Sequence, residues 1–327
     1  MSRIYEALQK AEAERISERT PDQREPRTPE ASVLTPQSMQ AAVAEAEMPA
    51  AEIAPAELPS RYVSSAAPFV SAPPAAKDDL DLSQVVRRPW TPSFDRLPAL
   101  LQRGPAVEQF RSLRSRLFEL RDVSPLKSIL ISSGLPQEGK SYVSANLALS
   151  LARHKNSKVL LIDGDMRRYS MHQLLGCEAQ PGLADYLGGK ASIVEVMQRA
   201  EQTSFVTESK IPAILPNLTF IAGGNGGDRA ADLSGSPRFG ELIRLVSPHF
   251  DWIIVDSSPV LPVSDAVNLA RSCDGVLLVA RGGVTKYPVA QRAQSELKAS
   301  KILGFVLNAV QEAPQVGSYY GYDSTNE

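Results

Sequence analysis

Apolar runs at residues 129–131, 159–162, 218–222, 252–255, 275–280 and 302–307 alternate along the chain with stretches whose apolar positions recur at helical spacing. A strand covered on both faces reads as an unbroken apolar run, and strands alternating with helices are the pattern of a parallel sheet. The clearest helical stretch starts at Pro105, which suits a first turn, and carries Val107, Phe110, Leu113, Leu117 and Leu120 on one stripe. Others are predicted from Val143, Leu147, Ala148 and Leu151, around Ile193, and over 239–246, 266–271 and 289–299. The expected fold class is therefore α/β, with a mostly parallel central sheet flanked by helices on both faces.

The remaining sequence has a different texture. Ile4, Leu8 and Ala11 share one face of a short amphipathic helix expected over 1–19, suited to docking on a partner. Residues 20–98 are rich in Ala, Pro, Glu and Ser and bury too little to offset ordering entropy, so they read as a disordered tether. The folded domain is expected over 99–312 and a tyrosine-bearing tail over 313–327.

The formal net charge of -2 and pI near 6.0 give no basic field and hence no reason to expect nucleic acid as a partner. Cys177 and Cys273 lie far apart without metal-type spacing, which suggests ordinary thiols in a reducing compartment. No apolar run approaches the roughly 20 residues of a spanning helix, and the N-terminus lacks a secretory core. A cytoplasmic protein is the expectation, its membrane contact made through a partner.

The first apolar run leads into Gly134-Leu-Pro136-Gln137-Glu138-Gly139-Lys140-Ser141 and then a helix, which is the setting a P-loop requires. The two glycines let backbone N–H groups curl around an anion at the helix N-terminus. Lys140 would reach the β- and γ-phosphates and Ser141 would sit on Mg²⁺. Two further runs end in carboxylates, Asp163 with Asp165 and Asp256, where ligands bind in open α/β sheets. Asp256 fits the role of holding the Mg²⁺ hydration shell. Asp163 and Asp165 are surplus to simple binding; one could complete the metal site while the other orients a nucleophile. Arg167 and Arg168 read either as phosphate or partner contacts or as solvated loop residues, and His172 reads as a structural hydrogen-bonder. Tyr319, Tyr320 and Tyr322 cluster in a polar tail, where aromatics are depleted, and are candidate phosphoacceptors.

In combination these motifs resemble the bacterial tyrosine kinases of capsule and exopolysaccharide export, a branch of the ParA/MinD-like P-loop ATPases. The resemblance runs from Ala106 to Tyr322 through Glu108-x-x-Arg111-x-x-Arg114, the P-loop, the Asp163-Gly-Asp165-Met-Arg167-Arg168 motif, Asp256-Ser-Ser-Pro259 and the tail. Residues 1–12 are similar to the N-termini of autokinases from exosortase-linked clusters.

The resemblance implies ATP and Mg²⁺ as cofactors. It implies phosphorylation of a neighbour's tail within a ring held by Glu108, Arg111 and Arg114. It further implies an inner-membrane polysaccharide co-polymerase as activator and a tyrosine phosphatase as counterpart. Lys140, Asp163 and Asp165 would be catalytic, with Asp163 engaging the tyrosine hydroxyl. Ser141, Asp163, Asp165 and Asp256 would hold metal; Gly134, Pro136–Tyr142 and Asn308 would bind nucleotide, Asn308 at the adenine. The chain departs from the pattern at Tyr142, Tyr169, Ser257-Ser258 and Gly226–Arg229, none of which removes a ligand. Leu135 stands where positioning ATPases carry a lysine, so the alternatives, a positioning ATPase or an ATP-binding scaffold, rank lower.

Overall fold

The computed structural model describes residues 80–154, 157–201 and 215–310. The expected N-terminal helix, the tether up to residue 79 and the tyrosine tail lie outside the described residues. In chain order the elements are β1 (Val86–Arg88), α1 (Pro105–Val123), β2 (Ser128–Ser133), α2 (Lys140–Ala152), β3 (Val159–Asp163), α3 (Met171–Leu175), α4 (Leu183–Leu187) and α5 (Ile193–Val196). They continue with β4 (Met197–Ala200), β5 (Leu218–Ile221), α6 (Ala230–Ser234), α7 (Pro237–Val246), β6 (Trp252–Asp256), α8 (Asp265–Ala270), β7 (Gly275–Arg281), α9 (Tyr287–Glu296) and β8 (Ile302–Asn308).

The strands form one eight-stranded sheet in the order β1-β4-β5-β3-β6-β2-β7-β8. From β5 to β8 every pairing is parallel; β4 runs antiparallel to β5 and β1 parallel to β4. Side chains alternate across each strand. Ile129, Ile131 and Leu161 therefore enter one core with Phe110, Leu117, Leu147 and Leu151. Leu130, Leu160, Ile162, Ile253 and Val255 enter the other with Leu242, Val246 and Leu269. Both cores draw on the same strands, which is why those strands show no polar alternation.

One boundary is corrected. The tether was expected to run to Pro98, yet Leu80, Val85, Trp90 and Leu97 are all buried, Trp90 to 1% and Leu97 to 0% exposure. The segment adds β1 to the sheet edge and then straps across the domain. Thr91 N–H donates to Gly176 O at 3.0 Å and Ser93 N–H to Leu174 O at 2.9 Å. Ala99 N–H donates to the buried Asn146 Oδ1 of α2 at 3.0 Å. Gly176 is required at this crossing: its φ is 63°, and a Cβ would stand 2.0 Å from Thr91 O. The strap is held by a few large anchors separated by prolines, which leaves no periodicity for a sequence reading to detect.

Trp90 meets Phe220 edge-on, with ring centroids 6.2 Å apart. Trp90→Ala is expected to destabilise the domain by about 3–5 kcal/mol, since it empties a fully buried aromatic site. Urea unfolding of the full chain measures this; an unchanged midpoint would mean that the strap contributes nothing to stability.

Candidate active site

The parallel strands β2, β3 and β6 bring the C-terminal ends of three chain segments to one edge, and each delivers the predicted chemistry. After β2 the loop turns through Gln137 at φ 66° and Gly139 at φ 93°, placing Lys140 at the start of α2. Residue 139 must be glycine for two reasons. Its backbone is left-handed, and a Cβ would lie 1.9 Å from Asn308 Nδ2.

Asp163 on β3 stands in register opposite Asp256 on β6. Ser141 Oγ donates to Asp256 Oδ2 at 2.6 Å, and Ser144 Oγ, one helical turn on, donates to Asp256 Oδ1 at 3.0 Å. Lys140 Nζ lies 3.1 Å from Asp165 Oδ2, with side-chain exposures of 14% and 5%. The Asp163 carboxylate accepts from Asp165 N–H and Met171 N–H, each at 3.2 Å. The strand ends also approach closely: Gly164 N–H donates to Asp256 O at 2.9 Å, and a Cβ at residue 164 would meet that oxygen at 2.5 Å.

Three buried carboxylates thus share one ammonium. Burial raises Asp163 well above the usual carboxylate range, and the nearby Asp256 adds to it. Asp256 is also raised, chiefly by burial, with Lys140 and the Ser141 hydroxyl opposing. At Lys140 burial favours the neutral amine, but the attraction of Asp256, Asp165 and Asp163 outweighs it and holds the group above its ordinary value. The site is an excess of negative charge around one cation, suited to a ligand that brings positive charge with it.

The family described as AAA domain matches residues 129–286. The tyrosine-protein kinase YwqD of Bacillus subtilis is 32% identical over 224 residues, covering 67% of this chain and 87% of the relative. The chain belongs to the bacterial tyrosine-protein kinases. Within that family, the kinase domain of Escherichia coli tyrosine kinase ETK superposes with a TM-score of 0.60 at 29% identity, over 71% of this chain and 85% of that one. The tyrosine-protein kinase ptk of Acinetobacter johnsonii is 31% identical over 64% of this chain; the match spans only 27% of that longer relative.

Other candidate residues of this family member are placed as follows. Glu108 and Arg111 form an ion pair on α1, and Arg111 also donates to Gln102 O at 3.0 Å. Arg114 donates to Ser150 O of α2 at 2.7 Å. Tyr142 turns to Phe110, with centroids 5.8 Å apart. Asn308, at the end of β8, donates to Glu138 O at 3.0 Å. Arg167 makes a two-pronged bond to the buried Asp265, at 2.7 and 3.3 Å. Arg168 is exposed and only its backbone N–H contacts Asp165.

His172 stacks near Tyr169, with centroids 5.7 Å apart, and burial lowers its pKa. Its buried Nδ1 finds no partner among the described residues, so the hydrogen-bonding role expected of it is not seen at that atom.

Ser144 escaped the sequence reading, and Asp265 entered it only as part of the motif that starts at Asp256, with no role attached. Ser144 stands three residues after the P-loop serine on the same helix face, which is the signal that would have found it. Asp265 pairs across 98 positions, a distance no local pattern encodes. A groove of about 710 Å³, lined by Val123, Lys127, Pro248 and Asp274 among others, lies at the opposite ends of the strands and brings no comparable constellation together.

Proposed function

We propose that this chain is an ATP-dependent protein-tyrosine kinase that modifies Tyr319, Tyr320 and Tyr322 of a neighbouring copy and so regulates exopolysaccharide or capsule export. The observation that carries the reading is the convergence of Lys140, Ser141, Asp163, Asp165 and Asp256 at one strand edge, with carboxylates beyond what binding alone needs.

The donor set fits Mg²⁺, which takes oxygen ligands and shares them with phosphates and water. Among the described residues no group of three or more His, Cys, Asp or Glu side chains could hold a metal unaided. Ser141 and Asp256 would hold the ion, with Asp163 and Asp165 beside it. When bound, Mg²⁺ and ATP supply the transferable phosphoryl group and neutralise its charge.

The protein's own residues do the rest. Lys140 would meet the β- and γ-phosphates and offset their charge. The P-loop N–H groups would hold the phosphates, and Asn308 would serve the nucleoside. Asp163 accepts the tyrosine proton, because a phenol with a pKa near 10 is a poor nucleophile until a base draws on its hydroxyl. Alignment and charge balance then carry the transfer.

Glu108, Arg111 and Arg114 are the proposed ring interface, an inner-membrane co-polymerase the activator, and a tyrosine phosphatase the counterpart; the protein would work in the cytoplasm against the inner membrane. Among the described residues no helix is long and apolar enough to cross a membrane. Phosphopeptide mass spectrometry of protein from its native host is expected to find phosphate on the tail tyrosines. An Arg111→Glu, Arg114→Glu variant is expected to lose both the ring and most of that phosphate. An unmodified tail during active export would refute the kinase reading.

A further inference from the structure

A carboxylate in a loop built to receive phosphate is electrostatically out of place unless it is turned away and used for something else. Glu138 is such a residue: it immediately precedes Gly139-Lys140 and is 3% exposed. No Lys or Arg among the described residues forms an ion pair with it. Its two oxygens are instead committed backwards. Oε2 accepts the Leu135 N–H at 2.7 Å, closing the P-loop on itself. Oε1 accepts the hydroxyl of Thr285 in the loop between β7 and α9.

Thr285 is fixed in its turn, its Oγ1 accepting the Arg281 N–H at 2.8 Å. The Glu138 carbonyl is held separately by Asn308 Nδ2 at 3.0 Å, while Gly282 N–H donates to Asn308 O at 2.7 Å. The P-loop, the β7–α9 loop and the end of β8 are therefore knit together through one acidic side chain and its backbone. The carboxylates Asp163, Asp165 and Asp256 occupy the β3–β6 side of the P-loop, which leaves the β7–β8 side for the nucleoside.

We propose that the Glu138–Thr285 pair is a positioning clip that holds the P-loop N–H groups in their phosphate-receiving arrangement and fastens that loop to the nucleoside side. This rests on the nucleotide-binding reading and deepens it. Losing one partner of a buried hydrogen bond leaves the other unsatisfied, so its loss loosens the curl of a loop that already holds Gln137 at a left-handed φ. Because the clip acts on the phosphate cradle, it affects any polyphosphate, with or without a base.

The test is calorimetric titration of the full chain, in Mg²⁺, with ATP and separately with inorganic tripolyphosphate. Thr285→Val is expected to weaken both ligands by about tenfold and to the same degree, and Thr285→Ser to restore them. Glu138→Ala is expected to lose a similar factor, and the Glu138→Ala, Thr285→Val double variant to lose little more than either single. Weakened ATP with unchanged tripolyphosphate would overturn the proposal, because Thr285 would then serve the nucleoside. So would single-variant losses that multiply in the double. A wild type that binds neither ligand refutes the nucleotide reading, and the clip with it.

Discussion

Lys140→Ala abolishes transfer to the tail, with an expected loss of roughly 10³-fold in the phosphorylation rate. The side chain lies 3.1 Å from Asp165 and within the field of Asp163 and Asp256, so among the described residues it is the cation placed to serve both the phosphates and the three carboxylates. Removing it therefore has a second consequence: three buried carboxylates lose their shared counter-charge, and the nucleotide-free protein is expected to lose about 3 kcal/mol. The two effects separate in a second variant. Lys140→Ala combined with Asp165→Asn restores much of the melting temperature and none of the activity. Radiolabelled phosphate transfer and a thermal scan read these quantities side by side. Transfer that returned together with stability would show that Lys140 serves the fold alone.

Asp163→Asn is expected to lower transfer by about 10²–10⁴-fold, the usual worth of a positioned base, and at the same time to make the nucleotide-free protein more stable. The sign follows from the raised pKa. In the unfolded chain an aspartate ionises near 3.9, whereas in the folded chain burial and Asp256 keep Asp163 protonated to higher pH. Between those values the folded state holds more protons, so raising the pH costs stability until the folded group also ionises.

Asparagine is spared that cost and keeps one oxygen for one of the two backbone donors, the Asp165 N–H on Oδ1 or the Met171 N–H on Oδ2, while its amide NH2 faces the other. A rise of roughly 3 °C in the melting temperature at neutral pH, shrinking as the pH falls toward about 4, is expected in EDTA without nucleotide. A variant that melts lower yet still transfers phosphate would remove Asp163 from the proposed role.

Much of the scaffold was legible because its code is local. The strands β2, β3, β5, β6, β7 and β8 are built around apolar runs, and the longer helices carry stripes, so one chain segment suffices to recognise each. β1 and β4 were not legible. Val86-Arg87-Arg88 and Met197-Gln198-Arg199-Ala200 are short and include polar side chains, β1 at the sheet edge and β4 next to it, so neither shows an apolar run. The site divides along the same line. Lys140, Ser141 and the three aspartates are announced by strand ends and glycines, and the fold brings them together. The second hydroxyl on Asp256 follows from the helical spacing of Ser144 to Ser141, whereas the Arg167–Asp265 bridge and the inward turn of Glu138 are tertiary facts that no spacing encodes.

Asn308 closes β8 and is bonded to the P-loop backbone, so the root of the tail is moored at the mouth of the chain's own site. Tyr319 lies eleven residue steps beyond Asn308, a leash of at most about 40 Å when fully extended. Such tethering gives a bound acceptor a local concentration on the order of millimolar, provided the span matches the leash. The leash also sets a ruler for assembly. A neighbour that receives Tyr319 must present its carboxylates within that radius of this Asn308, which limits how far apart successive copies can stand.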